Sequence, residues 1–192
     1  MTKKPNSVRI ISGKFKSRTI IFPDRSELRP TGNRIREVLF NWLQFEIIKS
    51  RCLDLFAGSG ALGIESLSRG AENTTFIESD HQTGLFLQEN LQSLDVTNGF
   101  VYITNALQWL KYSSHIEPFD IIFLDPPFKY NLFIDCCKLL EEKSLISESG
   151  FIYIETDNEL SLEALPLSWR LKHKRRAGNV SFYLYRRDSK KG

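Results

Sequence analysis

Short runs of apolar and β-branched residues recur along the chain, with amphipathic stretches between them. Apolar runs of that length bounded by turn residues are the pattern of strands buried on both faces, and their alternation with helix-length segments marks a parallel sheet. Strands are predicted at 51–56, 74–78, 100–103, 120–124 and 151–155. Helical spacing predicts helices at 61–69, ended by Gly70, at 81–94 with Leu87, Leu91 and Leu94 on one face, and at 132–142. Right-handed crossovers wind such units into an open, mostly parallel, doubly wound α/β sheet. Segments 170–174 and 180–186 flank Ala177-Gly178-Asn179 with no helix between them, so they are predicted to form an antiparallel C-terminal hairpin. Ahead of the sheet, 8–11 and 18–22 flank Gly13 as a small β ribbon. A helix over 34–45 follows Pro30-Thr31, with Ile35, Val38, Leu39 and Trp42 inward.

Length and composition narrow the picture. The 192 residues suit one α/β domain with a modest appendage, and 41% hydrophobic with 12% aromatic residues is a globular composition. The polar, basic start and the lack of any apolar run near the roughly 20 residues of a membrane helix predict a soluble, unexported protein. Cys52 lies in an apolar run and Cys136-Cys137 are adjacent, which suits neither a metal site nor paired disulfides, so reduced thiols in a cytoplasm are expected. The net charge of +3 conceals an asymmetry: residues 1–36 carry +8, 170–192 carry +8, and 37–169 carry −13. Two basic ends around an acidic centre suit a chain whose ends hold a polyanion. The basic residues there alternate with apolar ones, which predicts folded segments with basic faces.

Two motifs carry the chemistry. Asp54-Leu55-Phe56-Ala57-Gly58-Ser59-Gly60-Ala61-Leu62-Gly63 follows a strand and opens a helix. Its glycines let backbone approach a ligand, and the helix start presents amide groups to it. Glu78 closes the second strand 20 residues after Gly58, where a carboxylate can accept from both ribose hydroxyls of an adenosine. Asp125-Pro126-Pro127-Phe128 then ends the fourth strand, on the rim where doubly wound sheets bind ligands. An exocyclic base amine is a poor nucleophile because its lone pair is delocalised into the ring. Acceptors at the Asp125 carboxylate and the Pro126 carbonyl would draw on its N–H bonds, and Phe128 offers a stacking face for an extruded base. Asn105-Ala106, after the third strand, either contacts adenine or caps a helix through Asn105.

With these residues in view, the chain closely resembles the RsmD-type 16S ribosomal RNA (guanine-N2)-methyltransferases of bacteria. The match spans Arg9-Ile10-Ile11-Ser12-Gly13 and Arg18, Leu28-Arg29-Pro30-Thr31, Arg34 with Arg36 through Leu43, Leu53 through Ser68, Asp125 through Phe128, and Gly178-Asn179-Val180. The resemblance implies a Rossmann-like class I methyltransferase fold, with an RNA-binding extension at 1–46 and the methyltransferase domain at 47–192. It implies S-adenosylmethionine as donor, S-adenosylhomocysteine as product, no metal, and guanine 966 of 16S rRNA, in an assembling or assembled 30S subunit, as acceptor for a monomeric enzyme. By resemblance, Gly58, Ser59, Gly60 and Glu78 hold the cofactor, and Asp54, Phe56, Ser79, Asn105 and Ala106 are the further cofactor candidates around them. Asp125, Pro126, Pro127 and Phe128 form the catalytic group, and Arg9, Lys14, Lys16, Arg18, Arg29, Arg34 and Arg36 contact RNA.

An adenine-N6 methyltransferase acting on DNA or RNA would use the same Asp-Pro-Pro-Phe, although 192 residues leave little room for a target-recognition domain. A nicotinamide oxidoreductase of the short-chain type would need a Tyr followed four residues later by Lys, and no Tyr here is so placed. A non-enzymatic RNA-binding protein would have no use for the glycine loop, Glu78 and Asp125 together.

Overall fold

The computed structural model describes residues 5–25, 30–113, 116–126, 130–156 and 165–188. A two-stranded antiparallel ribbon, β1 (Asn6–Arg9) and β2 (Thr19–Phe22), precedes helix α1 (Asn33–Trp42). Then follow β3 (Arg51–Asp54), α2 (Ala61–Ser68), β4 (Asn73–Glu78), α3 (His81–Ser93), β5 (Gly99–Ile103), α4 (Ala106–Tyr112), β6 (Phe119–Leu124), α5 (Tyr130–Glu142), β7 (Ile146–Thr156), β8 (Trp169–Ala177) and β9 (Val180–Arg187). The main sheet has seven strands in the order β5-β4-β3-β6-β7-β9-β8. Its first five strands run parallel. β9 lies antiparallel between β7 and β8. This is the doubly wound arrangement expected from the pattern, with the C-terminal hairpin inserted so that its second strand touches the parallel sheet.

Strand side chains alternate between two cores, as strand geometry requires. Cys52, Phe76, Ile121, Phe123, Tyr153, Phe182 and Leu184 meet α1, α2, α3 and the ribbon on one face. Leu53, Ile77, Ile122, Leu124, Ile152, Ile154 and Tyr183 meet α4 and α5 on the other. The ribbon and α1 therefore share the first core: Ile10, Phe15, Ile20, Leu39 and Phe40 are buried in it together with sheet residues. Gly13 adopts φ +83°, and a Cβ there would lie 1.8 Å from the Ser68 carbonyl, so the ribbon can close onto α2 only with glycine at that turn.

Several boundaries and one helix differ from the sequence expectation: β1 lies at Asn6–Arg9 rather than 8–11, and β3 stops at Asp54 rather than 56. α1 ends at Trp42 rather than 45, and Phe45 is 81% exposed. β7 begins at Ile146, five residues early, with Ser149 at φ +66°. α4, which no periodicity marked, has only seven residues, too few to show a repeat of 3.6. The three cysteines are free and buried, and burial pushes Cys52 up to about 12. No helix among the described residues is long and apolar enough to cross a membrane.

Candidate active site

The site is built by strand register. Phe76 of β4, Asp54 of β3, Phe123 of β6 and Tyr153 of β7 are aligned across the sheet and share one face. Two residues further, at the C-terminal rim, that face carries Glu78, Asp125 and Glu155. Four carboxyls, counting Asp54, thus line one edge of a parallel sheet, where strand order reverses between β3 and β6.

Between β3 and α2 the chain turns through Gly58 at φ +51° and Gly60 at φ +77°. A Cβ on Gly60 would stand 2.3 Å from Leu87 Cδ1, so this turn requires glycine on both conformational and steric grounds. The Gly58 amide donates to Glu78 Oε2 at 2.8 Å and the Asp80 amide to Oε1 at 2.7 Å. Those bonds orient the carboxylate and leave each oxygen further acceptor capacity. Burial nevertheless raises the Glu78 pKa, the two amides opposing it. Asp54 is buried, accepts from the Gly63 amide at 3.0 Å, and is pushed to about 7 by burial and by the nearby Glu78 charge. Gly63 also lets α2 sit against the sheet, since a Cβ there would meet the Phe76 ring at 2.2 Å.

The remaining residues expected near the cofactor fall into place unequally. Phe56 is half-buried and Ser59 and Ala106 are buried, whereas Ser79 is exposed. Asn105 caps α4, its side chain accepting from the Leu107 amide at 2.9 Å and the Gln108 amide at 3.4 Å. Of its two sequence readings, capping is the one this geometry displays. Asp80 caps α3 through Thr83 and pairs with Arg25 at 3.2 Å.

Asp125 and Pro126 are half-buried at the rim, while Pro127 and Phe128 lie outside the described residues. Asp125 does not stand alone. Leu124 pairs with Ile154, so Asp125 emerges beside Glu155 from adjacent strands. Thr31 stands near both carboxyls, and the Tyr153 hydroxyl donates to Glu155 Oε2 at 2.7 Å. Burial first, and then the Glu155 and Asp54 charges, hold Asp125 well above the ordinary carboxylate range. Burial raises Glu155 as well.

Sequence reasoning did not select Thr31, Tyr153 or Glu155 as site residues. Tyr153 and Glu155 sit in a strand whose apolar alternation reads as core. Thr31 precedes α1 and reaches the site only through the folding of the N-terminal segment. The usable signal was Glu155 itself, a carboxylate closing an apolar strand next in the sheet to the strand that Asp125 closes.

Arg36 accounts for Thr31's position and corrects one expectation. Expected by resemblance among the RNA contacts, it is instead 1% exposed. Its guanidinium donates to the carbonyls of Thr31 (3.2 Å) and Arg9 (2.9 Å), to Asn33 Oδ1 (2.7 Å) and to Glu65 Oε2 (3.3 Å). Glu65, fully buried in α2, also accepts from the Ile11 and Ser12 amides and from Arg69. A guanidinium so enclosed is not available to a phosphate. Arg9, Lys14, Lys16, Arg18 and Arg34 are exposed, Arg18 donating to the Ser93 carbonyl at 2.7 Å, and Arg29 lies outside the described residues. At the other end of the sheet, residues 170–176 of β8 are all exposed. Arg175 is level with Glu155, through Phe182 of β9, which places it two strand spacings, about 10 Å, along the same rim.

Comparison with known proteins agrees with this architecture. Residues 8–186 match the family model described as Conserved hypothetical protein 95. The chain is 41% identical over 192 residues to Ribosomal RNA small subunit methyltransferase D of Escherichia coli strain K12, covering 97% of this chain and 96% of that one. It superposes on the solved structure of the putative methyltransferase yhhF from Escherichia coli with a TM-score of 0.88 at 40% identity, covering 95% of this chain and 99% of that one. Fold likeness extends to the Thermus thermophilus 16S rRNA N2 G1207 methyltransferase RsmC, solved with AdoMet and guanosine, at a TM-score of 0.73 and 18% identity, over 96% of this chain and 50% of that one. A class I methyltransferase fold, matched from the ribbon to the last strand, places this chain in the Conserved hypothetical protein 95 family, that of the RsmD-type ribosomal RNA small subunit methyltransferases.

Proposed function

We propose that this protein uses S-adenosylmethionine to methylate the N2 amine of one guanine in 16S rRNA, guanine 966 by family resemblance. The observation that carries this reading is Asp125 on the rim, one strand away from the glycine loop and two from Glu78.

The residues fit the donor. Glu78, oriented by the Gly58 and Asp80 amides, has acceptor capacity left for ribose hydroxyls. The turn through Gly58, Ser59 and Gly60 brings backbone close without side chains in the way. Asp54, buried beside them, offers a carboxyl to an ammonium group. S-adenosylmethionine, when bound, supplies an activated methyl on a sulfonium. This chain's part is then to position the amine and take up charge: the Asp125 carboxylate and the Pro126 carbonyl accept from its N–H bonds, and Phe128 stacks on the extruded base. Preorganised acceptors of this kind act most strongly where water is excluded, as at the half-buried Asp125. The segment 1–46 and its exposed Arg9, Lys14, Lys16, Arg18 and Arg34 hold the RNA, with Arg29 assigned to the same role from sequence. A monomer acting in the cytoplasm on an assembling or assembled 30S subunit completes the proposal.

The test is transfer of labelled methyl to small subunits from cells lacking the protein, followed by nucleoside mass spectrometry. N2-methylguanosine is the expected product. N6-methyladenosine would support the alternative base, and a ring-carbon or ribose product would remove Asp125 from its role. Asp125→Ala should lower kcat by a factor of about 100 to 1,000, as expected for one preorganised electrostatic group, and leave cofactor affinity nearly unchanged.

A further inference from the structure

β8 is an outer strand of the main sheet, and its residues 170–176 are all exposed. Five of those seven are Lys or Arg, and no acid occurs between Leu165 and Arg187. Asp188 engages Arg170 at 2.8 Å, and the Gly178 carbonyl accepts from Arg176 at 3.0 Å. Among the described residues, Lys172 and Arg175 have no ion-pair partner. Register carries Arg175 to the reaction rim. Phe182 of β9 pairs with Glu155 of β7 on one side and with Arg175 of β8 on the other. Asp125, one residue beyond the Leu124 and Ile154 pair, completes a row of side chains on one face of the sheet. Three strand spacings, about 15 Å, separate Asp125 from Arg175. Two residues before Arg175, His173 pairs with Leu184 of the core that α1 shares, and half-buried Trp42 of α1 stacks on its ring at 4.8 Å and 14°. The ladder slips between Leu171 and His173, which leaves Lys172 on a bulge beside that stack.

The ribbon lies elsewhere. Its Lys14 amide donates to the Ser68 carbonyl at 2.7 Å, at the end of α2 away from the glycine turn, so eight residues of helix, about 12 Å, separate it from the rim. Charge on an edge strand has an ordinary use, which is to keep sheet edges from pairing with one another. That use is indifferent to the sign of the charge and needs no aromatic pair beside it.

We propose that the face formed by β8 and Trp42 binds the RNA strand flanking the target base, with Lys172 and Arg175 on its phosphates and His173, backed by Trp42, stacked on one of its bases. The proposal rests on the ribosomal RNA substrate argued above and names the surface that holds it nearest the reaction. Cations along a strand follow a phosphate backbone, and an aromatic platform accepts any base because every base has a π face. The ribbon then holds a more distant part of the same RNA, and β8 sets the strand beside Asp125.

Filter binding of the full chain to small subunits from cells lacking the protein, across a salt series, tests this. Lys172→Glu combined with Arg175→Glu reverses the charge yet keeps the edge charged, so a role in blocking the edge survives it. The expected result is affinity weaker by roughly tenfold and a salt slope shallower by about 1.4, at 0.7 for each of two phosphates. Lys172→Gln combined with Arg175→Gln adds no negative charge beside Glu155 and should move both quantities in the same direction. KM for the subunit should rise while kcat and affinity for S-adenosylmethionine stay unchanged, because these contacts are equal in ground and transition states. Subunit binding should quench part of the tryptophan fluorescence, and Trp42→Phe should lose that part. In an RNA fragment centred on guanine 966, 4-thiouridine beside that guanine should crosslink to residues 170–176. Wild-type affinity and salt slope in both double variants, or a crosslink to the ribbon alone, would overturn the proposal. Binding that depends on β8 in a wild type that methylates no ribosomal RNA would instead overturn the proposed reaction and leave the RNA surface supported.

Discussion

Asp54 and Glu78 show how one short stretch of rim sets chemistry residue by residue. Asp54 keeps its proton in the folded chain up to about 7, against an ordinary value of 3.8. Since the folded state holds a proton that the unfolded chain releases, the stability from this group is full below about 4 and is lost as pH rises through about 7. Glu78, Asp125 and Glu155, all raised, act in the same direction. Thermal denaturation of the empty protein should therefore show Tm falling across that window, with a shallower fall in Asp54→Asn. Glu78→Ala should weaken S-adenosylmethionine and S-adenosylhomocysteine alike, by about 1.5–3 kcal/mol for lost bonds to a charged acceptor. Equal affinities for both ligands in calorimetry, mutant against wild type, would take Glu78 out of the site. The loss should exceed that of a ribose contact alone, because the Gly58 and Asp80 amides lose their acceptor too.

At the scale of elements, the decisive contact is the junction of ribbon, α1 and α2. Glu65 accepts from two ribbon amides and two arginines, and Arg36 returns bonds to two backbone carbonyls. Burial lowers the Arg36 pKa and the Glu65 charge opposes that shift, so the pair persists only while both partners are present. Arg36→Met should cost about 3–5 kcal/mol, the usual result of leaving one member of a buried pair behind. Chemical denaturation measures it, and Arg69→Met, at a partly exposed position, should cost less. Glycine placement, strand runs and the helices α2, α3 and α5 were legible beforehand, since each depends on local periodicity or turn chemistry. Arg36 was not, because an arginine on a helix reads the same in sequence whether it faces phosphate or a buried glutamate.

Across the whole molecule the two basic ends sit differently about the acidic rim: Arg175 of β8 is level with Glu155, whereas the ribbon turn with Lys14 and Lys16 packs on Ser68 at the far end of α2, the helix that starts at the rim. Residues 170–176 of β8 are exposed beyond Glu155, and the ribbon packs on the side of α2 and α3. RNA affinity should fall steeply with salt, by a slope near −0.7 per single-strand phosphate contact. Charge reversal at Arg9, Lys14 and Lys16 should flatten that slope in filter binding across a salt series; a triple variant with wild-type affinity and slope would move the ribbon off the RNA.

The succession of strands and helices apart from α4, the glycine turn, Glu78 and the strand-end Asp125 were determined by the sequence alone, because each is written in neighbouring residues: period two or 3.6, positive φ at glycine, a carboxylate closing an apolar run. Tertiary structure decided what those groups meet. The alignment of β6 with β7 sets Glu155 beside Asp125, and Arg36, paired with Glu65, holds the Thr31 carbonyl of the N-terminal segment. Asp125 and Glu155, 30 positions apart, leave no local periodicity to read; they meet only once register brings the two strand ends to one rim.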